Sequence, residues 1–267
     1  MDDGTGVSVT TSDGTSLVVR CDGSGDGPPL VLLNSLGTDL TMWDRQVPRW
    51  ATRRRIIRFD HRGHGRSGAP AGPYTIERLG HDVLEVAAAV AGDAPVDVCG
   101  LSLGGVVALW VAGNEPDRLR RMVVADTAAR VATRETWHDR AALVAERGMS
   151  GVADAVLERF FSAGFRQGEP TTIEEMRRVL LATPSEGYRS SCLALADTDL
   201  HDLLPRIVAP TLVVAGGDDV STPVVEAQRI AARISGARLQ VLPGAGHLVN
   251  LERPDAFAQL VDEHLVS

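Results

Sequence analysis

Ser102 lies in the run Val-Asp-Val-Cys-Gly-Leu-Ser-Leu-Gly-Gly-Val-Val from Val96 to Val107. The β-prone residues Val96 to Cys99 end in Gly100-Leu101-Ser102-Leu103-Gly104, and an apolar helical pattern continues through Ala108, Leu109 and Trp110. This is the G-x-S-x-G spacing in a strand-to-helix setting. Glycines two before and two after the serine let the backbone pass close to its neighbours, so the serine takes a strained conformation with its hydroxyl above the sheet edge. Such a hydroxyl is a poor nucleophile at neutral pH. It needs a base, for which histidine with an ordinary pKa of about 6.5 is suited, and an acid that holds the imidazole in one tautomer. Both follow in the chain: Gly216-Gly217-Asp218-Asp219 directly after the strand-like Pro210 to Ala215, and Gly244-Ala245-Gly246-His247 directly after Leu239 to Leu242. Loops after strands are where open α/β sheets bind ligands, so serine, acid and histidine fall on one rim in that order. Either Asp218 or Asp219 fits as the acid. Such a set of groups would serve acyl transfer through the serine.

The elements that must position these groups are readable from pattern. Val7 to Thr11 and Ser16 to Arg20 read as strands joined at Asp13-Gly14; a Gly-rich loop over 22–29 precedes a buried strand, Pro29 to Leu33. Ile56 to Phe59, Met122 to Ala125, Pro210 to Ala215 and Leu239 to Leu242 read as further strands, and Arg53-Arg54-Arg55 as a solvated loop before one of them. Helices are expected from Thr75, a fitting N-cap, to about Ala91, from Thr222-Pro223 to about Ile234, and from Pro254 to Leu265. Alternation of strands and helices implies a mostly parallel sheet covered on both faces. From Arg130 to about Pro205 strand signals give way to helical ones, over Arg140 to Arg147, Val152 to Phe161, Thr172 to Leu181 and Gly187 to Ala196. The expected division is therefore a core of residues 1–129 and 206–267 with a helical cap of residues 130–205 inserted. No internal repeat or low-complexity segment interrupts it.

Composition sets limits. The 267 residues suffice for one large α/β domain, and 44% hydrophobic with 23% charged residues is an ordinary globular balance. The net charge is -8, and every basic residue is an arginine, so a lysine nucleophile or a lysine Schiff base is excluded. One short arginine run in an acidic chain does not suggest nucleic-acid binding. The acidic start Met1-Asp2-Asp3-Gly4 and the lack of a long apolar run give the cytoplasm as the expected location and no membrane partner. Cys21, Cys99 and Cys192 are odd in number and widely spaced, which fits reduced thiols better than disulfides or a zinc site.

With these residues in place, the chain resembles the α/β-hydrolase fold family along essentially its whole length, and within it the 3-oxoadipate enol-lactonases of bacterial aromatic-acid catabolism. The closer match is carried by Leu33 to Trp43 (Leu-Asn-Ser-Leu-Gly-Thr-Asp-Leu-Thr-Met-Trp), Phe59 to Ser67, Gly72 to Leu79, Asp126 to Arg130, Leu181 to Tyr188 and the Gly246-His247 loop. Most relatives carry His-Gly where Asn34-Ser35 stand, whereas the enol-lactonases share Asn-Ser. The resemblance implies a carboxylic ester hydrolase without metal or organic cofactor. The family's acid stands three residues after the first glycine of its loop and four before a proline, which lands on Asp219 and leaves Asp218 as a solvated neighbour. The expected oxyanion donors are the backbone N–H groups of Leu36 and Leu103, and Arg130, Trp137 and Arg140 are the candidates to bind the carboxylate of an anionic lactone. His61, Arg62 and His64 belong to a turn common in relatives and read as structural, Trp43 and Trp110 as packing, and His138 as a surface residue or one reaching the pocket. A promiscuous carboxylesterase, another lactonase or a cofactor-free perhydrolase would use the same residues, because fold and triad do not fix substrate. A ligand-binding protein without turnover would be expected to lack a member of the triad. Assembly into a homo-oligomer is left open.

Overall fold

The computed structural model describes residues 6–266. β1 (Val7–Thr10) and β2 (Ser16–Leu33) pair antiparallel across a turn in which Gly14 adopts φ +85°. After β2 come the short α1 (Val47–Trp50) and β3 (Arg54–Phe59). The sequence predicts a loop over 22–29, but the chain stays in strand pairing and turns back there. Its partners on β3 descend from Val19↔Phe59 to Asp22↔Ile56, and then climb from Leu30↔Ile56 to Leu32↔Arg58. β3 thus lies between two arms of one strand, antiparallel to the first and running along with the second. The glycines of this stretch serve close approach rather than looseness: a Cβ on Gly23 would stand 2.3 Å from the Ala51 carbonyl oxygen, and one on Gly25 2.2 Å from the Arg53 backbone. Arg54 is also not a solvated loop residue. It is buried in β3, and its guanidinium meets the fully buried Asp97 at 2.8 Å.

Beyond these come α2 (Ile76–Ala91), β4 (Val96–Leu101), α3 (Leu103–Asn114) and β5 (Leu119–Ala125). Thr75 caps α2 as its spacing predicts, accepting the Arg78 N–H. Between β5 and the next strand the described elements are all helical: α4 (Arg134–Arg147), α5 (Ala153–Phe160), α6 (Ala163–Gly168), α7 (Pro170–Ala182) and α8 (Ser185–Ala196), with short 3₁₀ turns. The chain then returns to the sheet through β6 (Thr211–Gly216), α9 (Val224–Arg233) and β7 (Arg238–Leu242), and ends in α10 (Val249–Glu252) and α11 (Pro254–Val266).

The seven-stranded sheet runs β1-β2-β4-β5-β6-β7 with β3 on β2, and every pairing from β2–β4 to β6–β7 is parallel. β4 and β6 are buried at every residue, as strands covered on both faces must be. Parallel strands all point their carboxyl ends the same way. The residues that follow β4, β5 and β6 therefore emerge side by side on one rim.

Candidate active site

At the end of β4 the chain turns abruptly into α3, and Ser102 takes φ 56° and ψ -114°, a conformation costing a non-glycine residue about 1–3 kcal/mol. The flanking glycines make the turn possible. A Cβ on Gly100 would stand 2.2 Å from the Gly104 carbonyl oxygen, and one on Gly104 2.2 Å from the Leu33 carbonyl oxygen. Held this way, the Ser102 hydroxyl lies 2.9 Å from His247 Nε2.

The other imidazole nitrogen, His247 Nδ1, lies 2.8 Å from Asp219 Oδ2. The Asp219 carboxylate is itself fixed: Oδ1 accepts the N–H groups of Ser221 and Thr222 at 2.7 and 3.1 Å, and Oδ2 accepts the Thr222 hydroxyl at 2.7 Å. Burial pushes this carboxyl upward, but the His247 charge and the hydrogen bonds from His247 and Thr222 prevail and hold it below the usual range. Asp218 faces solvent, and among the described residues only its backbone N–H engages, bonding the Ala245 carbonyl at 2.9 Å. The Phe160 ring, at the end of α5, stacks on the His247 imidazole with centroids 5.8 Å apart. The Phe160 carbonyl also accepts the Leu248 N–H at 3.0 Å.

The loop after β2 is drawn to the serine turn by the Gly104 N–H, which donates to the Asn34 carbonyl at 3.0 Å. Asn34 is anchored by its side chain, which donates to the Phe59 carbonyl and accepts the Trp43 indole N–H at 2.8 and 2.9 Å. Ser35 has its N–H on Met42 Sδ and its carbonyl on the Thr38 hydroxyl. What remains open is the Leu36 N–H, with no backbone acceptor among the described residues, and that of Leu103, which as the first residue of α3 has no intrahelical acceptor. Two such amides on either side of the serine can receive a developing oxyanion.

Over these groups lies a cavity of about 100 Å³, lined from below by Ser35, Leu36, Ser102 and His247 and from the segment inserted after β5 by Val131, Trp137, Arg140, Val156, Arg159, Phe160 and Tyr188 among others. Trp137 is buried and donates its indole N–H to the Val131 carbonyl; the Arg140 guanidinium lies over its ring, 4.9 Å from the centroid. No carboxylate pairs with Arg140 among the described residues. Arg130, in contrast, does not line this cavity. Its side chain is 48% exposed and turned to Asp199 at 3.6 Å, because the chain entering α4 points it outward. His138 is likewise on the surface.

Ser35, Arg159 and Tyr188 are among the lining residues that escaped sequence reasoning. Arg159 sits on an amphipathic helix where nothing separates it from other surface arginines. The Ser35 hydroxyl is buried without a hydrogen-bond partner among the described residues, and the buried Tyr188 hydroxyl faces the Arg140 guanidinium. Both lie in stretches that carry the family resemblance, which is the signal that would have singled them out.

A doubly wound sheet with a serine turn, an acid and a histidine on its carboxyl rim defines a class of hydrolase scaffold. The chain belongs to the alpha/beta hydrolase family, whose model matches residues 30–260. It is 38% identical to 3-oxoadipate enol-lactonase 2 of Acinetobacter baylyi over 241 residues, covering 90% of this chain and 89% of that one. Among solved structures it is similar to the enol-lactonase of Burkholderia xenovorans LB400, with a TM-score of 0.95, 40% identity, and 98% and 100% of the two chains covered. It is also similar to a thermophilic esterase from Thermogutta terrifontis, solved with malate bound, with a TM-score of 0.91, 30% identity and 97% of each chain covered.

Proposed function

We propose that this chain opens the ring of a small anionic enol-lactone, with 3-oxoadipate enol-lactone as the substrate, through an acyl-enzyme on Ser102. The observation that carries the reading is the hydrogen-bonded line Ser102–His247–Asp219 beneath a cavity in which Arg140 has no carboxylate partner among the described residues. In the first half-reaction, Ser102 Oγ attacks the ring carbonyl while His247 Nε2 takes its proton. Asp219 stabilises the imidazolium, and the Leu36 and Leu103 N–H groups receive the oxyanion. The C–O ring bond then breaks. The leaving oxygen is an enol, a better leaving group than an alkoxide, and its conversion to the ketone draws the opening forward. His247 supplies the proton, then activates water to release the acid from Ser102. No metal or organic cofactor enters these steps.

Substrate choice falls to the inserted helices, which act here as a cap. Arg140, pre-set on the face of Trp137, pairs with the substrate carboxylate in a charge-assisted bond contributing about 1.5–3 kcal/mol. The Ser35 and Tyr188 hydroxyls supply further donors to its oxygens. The test is kcat/KM for freshly made 3-oxoadipate enol-lactone beside p-nitrophenyl acetate. The expected result is a strong preference for the lactone that Arg140→Ala erodes by about 10- to 100-fold with the acetate unaffected. Ready turnover of the acetate alone would leave a general esterase, the activity named for the malate-bound neighbour.

A further inference from the structure

We propose that Asp126, together with Thr127, is a positioning residue that sets the three loops bearing Ser102, Asp219 and His247 in register. The proposal rests on the assignment of those three residues as the triad, not on the identity of the substrate.

Asp126 is the first residue past β5, between the serine strand on one side and the acid strand on the other, and it is 1% exposed. It takes φ +45°, a left-handed conformation for which aspartate is among the better-suited side chains. This turns its carboxylate across the rim. One oxygen accepts the N–H of Gly216 at 2.7 Å, where the loop to Asp219 begins. The other accepts the N–H of Val249 at 3.2 Å, two residues beyond His247. Its own N–H donates to the Val214 carbonyl of β6 at 3.0 Å. Thr127 completes the set from the serine side, donating its hydroxyl to the Ser102 carbonyl at 2.8 Å, while the Ser102 N–H donates to the Ala125 carbonyl at 2.9 Å. Three consecutive residues thus touch all three loops.

A group placed here only to fill space would be apolar. A buried carboxyl beside Asp219 is unfavourable, since burial first and the Asp219 charge second both push it well above the usual carboxylate range. What it offers in return is two acceptors at one tip, 90 residues apart in sequence from one donor and 123 from the other. An amide would present one acceptor and turn an NH₂ against the other N–H.

The test compares wild type with Asp126→Asn and, as the milder change, Thr127→Val. Active sites are counted with diethyl p-nitrophenyl phosphate, in which Ser102 Oγ bonds to phosphorus as p-nitrophenolate leaves and the serine proton passes to His247. The rate of that labelling is recorded, and kcat and KM on p-nitrophenyl acetate are expressed per titrated site. For Asp126→Asn the expected result is a kcat per site about 10- to 100-fold lower, KM within about threefold of wild type, and labelling slowed in parallel, as misalignment of reacting groups demands. Thr127→Val should lower kcat per site about 3- to 10-fold by the same reasoning. A merely structural role would reduce the number of active sites and the thermal stability but leave each surviving site at full speed. Variants with kcat per site within about twofold of wild type overturn the proposal, and Thr127→Val alone decides it should Asp126→Asn fail to fold. Absence of label on Ser102 in wild type would overturn the triad assignment itself, and this proposal with it.

Discussion

Asp218 and Asp219 are adjacent, identical in chemistry and opposite in fate. Asp219 is buried, with both oxygens engaged by backbone, threonine and imidazole; Asp218 lies in solvent with its carboxylate uncommitted. Asp219→Asn should therefore lower kcat by about 10⁴-fold, because an amide at Oδ2 favours the wrong imidazole tautomer. Asp218→Asn should stay within about twofold, a surface change with nothing to lose. Steady-state kinetics on any activated ester decides between them, and equal losses would mean that the loop rather than the carboxylate matters. The serine and the histidine were readable in the sequence because each sits in a glycine-marked turn directly after an apolar run. The choice between the two aspartates was not contained in residue type, since only spacing to Gly216 and Pro223, borrowed from a resemblance, separates them. Ser35 and Tyr188 stand in stretches that carry the resemblance, which marks the stretch but not the role of the hydroxyl. That a hydroxyl is buried at the edge of a cavity depends on the packing around it, which its neighbours in the chain do not show.

At the scale of elements, the inserted helices and the histidine loop are joined more firmly than their separation in sequence suggests. Glu252, at the end of α10, accepts the Ser162 N–H and the Ser162 hydroxyl at 2.7 Å each, and Ser162 is the N-cap of α6. Phe160, two residues earlier, covers His247. Glu252→Gln removes one of these acceptors from a half-buried pair and weakens the join by about 1 kcal/mol. The expected outcome is faster hydrogen exchange at the Ser162 and Leu248 amides, with the amides of β4 and β6 unchanged and KM raised more than kcat is lowered. Uniformly faster exchange would instead show that the pair supports the whole fold. Such joins were not readable in the chain, which showed the helices themselves through their apolar spacing but not what they rest on. The 22–29 stretch makes the same point. Its glycines signal a loop in any local reading, yet there they let β2 pass within touching distance of Ala51 and Arg53, a fact belonging to two segments at once. Strands β4 and β6, mostly apolar runs, needed no partner to be recognised, although the Asp97 within β4 did.

For the molecule as a whole, the response to acid follows from groups that have no part in the reaction. His61 and His64 are fully buried next to one another, their rings 6.3 Å apart. Burial first, and then the neighbouring His64, hold His61 down at about 3; burial holds His64 at about 4. A histidine that titrates near 6.5 when unfolded and far lower when folded leaves stability intact above pH 6.5. Below that the unfolded chain binds the proton first, and stability falls with decreasing pH until the folded pKa is reached, by up to about 1.4 kcal/mol per pH unit for each group. Four buried carboxyls, Asp60, Asp82, Asp97 and Asp126, are raised by burial and work in the opposite direction, since the folded state takes up their protons more readily than the unfolded one. The net slope therefore mixes two signs, and a single melting curve does not separate them. A difference does. His61→Phe keeps a ring at the edge of Phe59, now 5.3 Å between centroids, and removes one titration while the carboxyls stay common to both proteins. Between pH 7 and pH 5, the His61 contribution amounts to about 2 kcal/mol, so wild type should lose about 4–8 °C more in Tm than the variant over that interval. Parallel Tm curves would mean that water reaches His61 and that its imidazole charges within the folded protein.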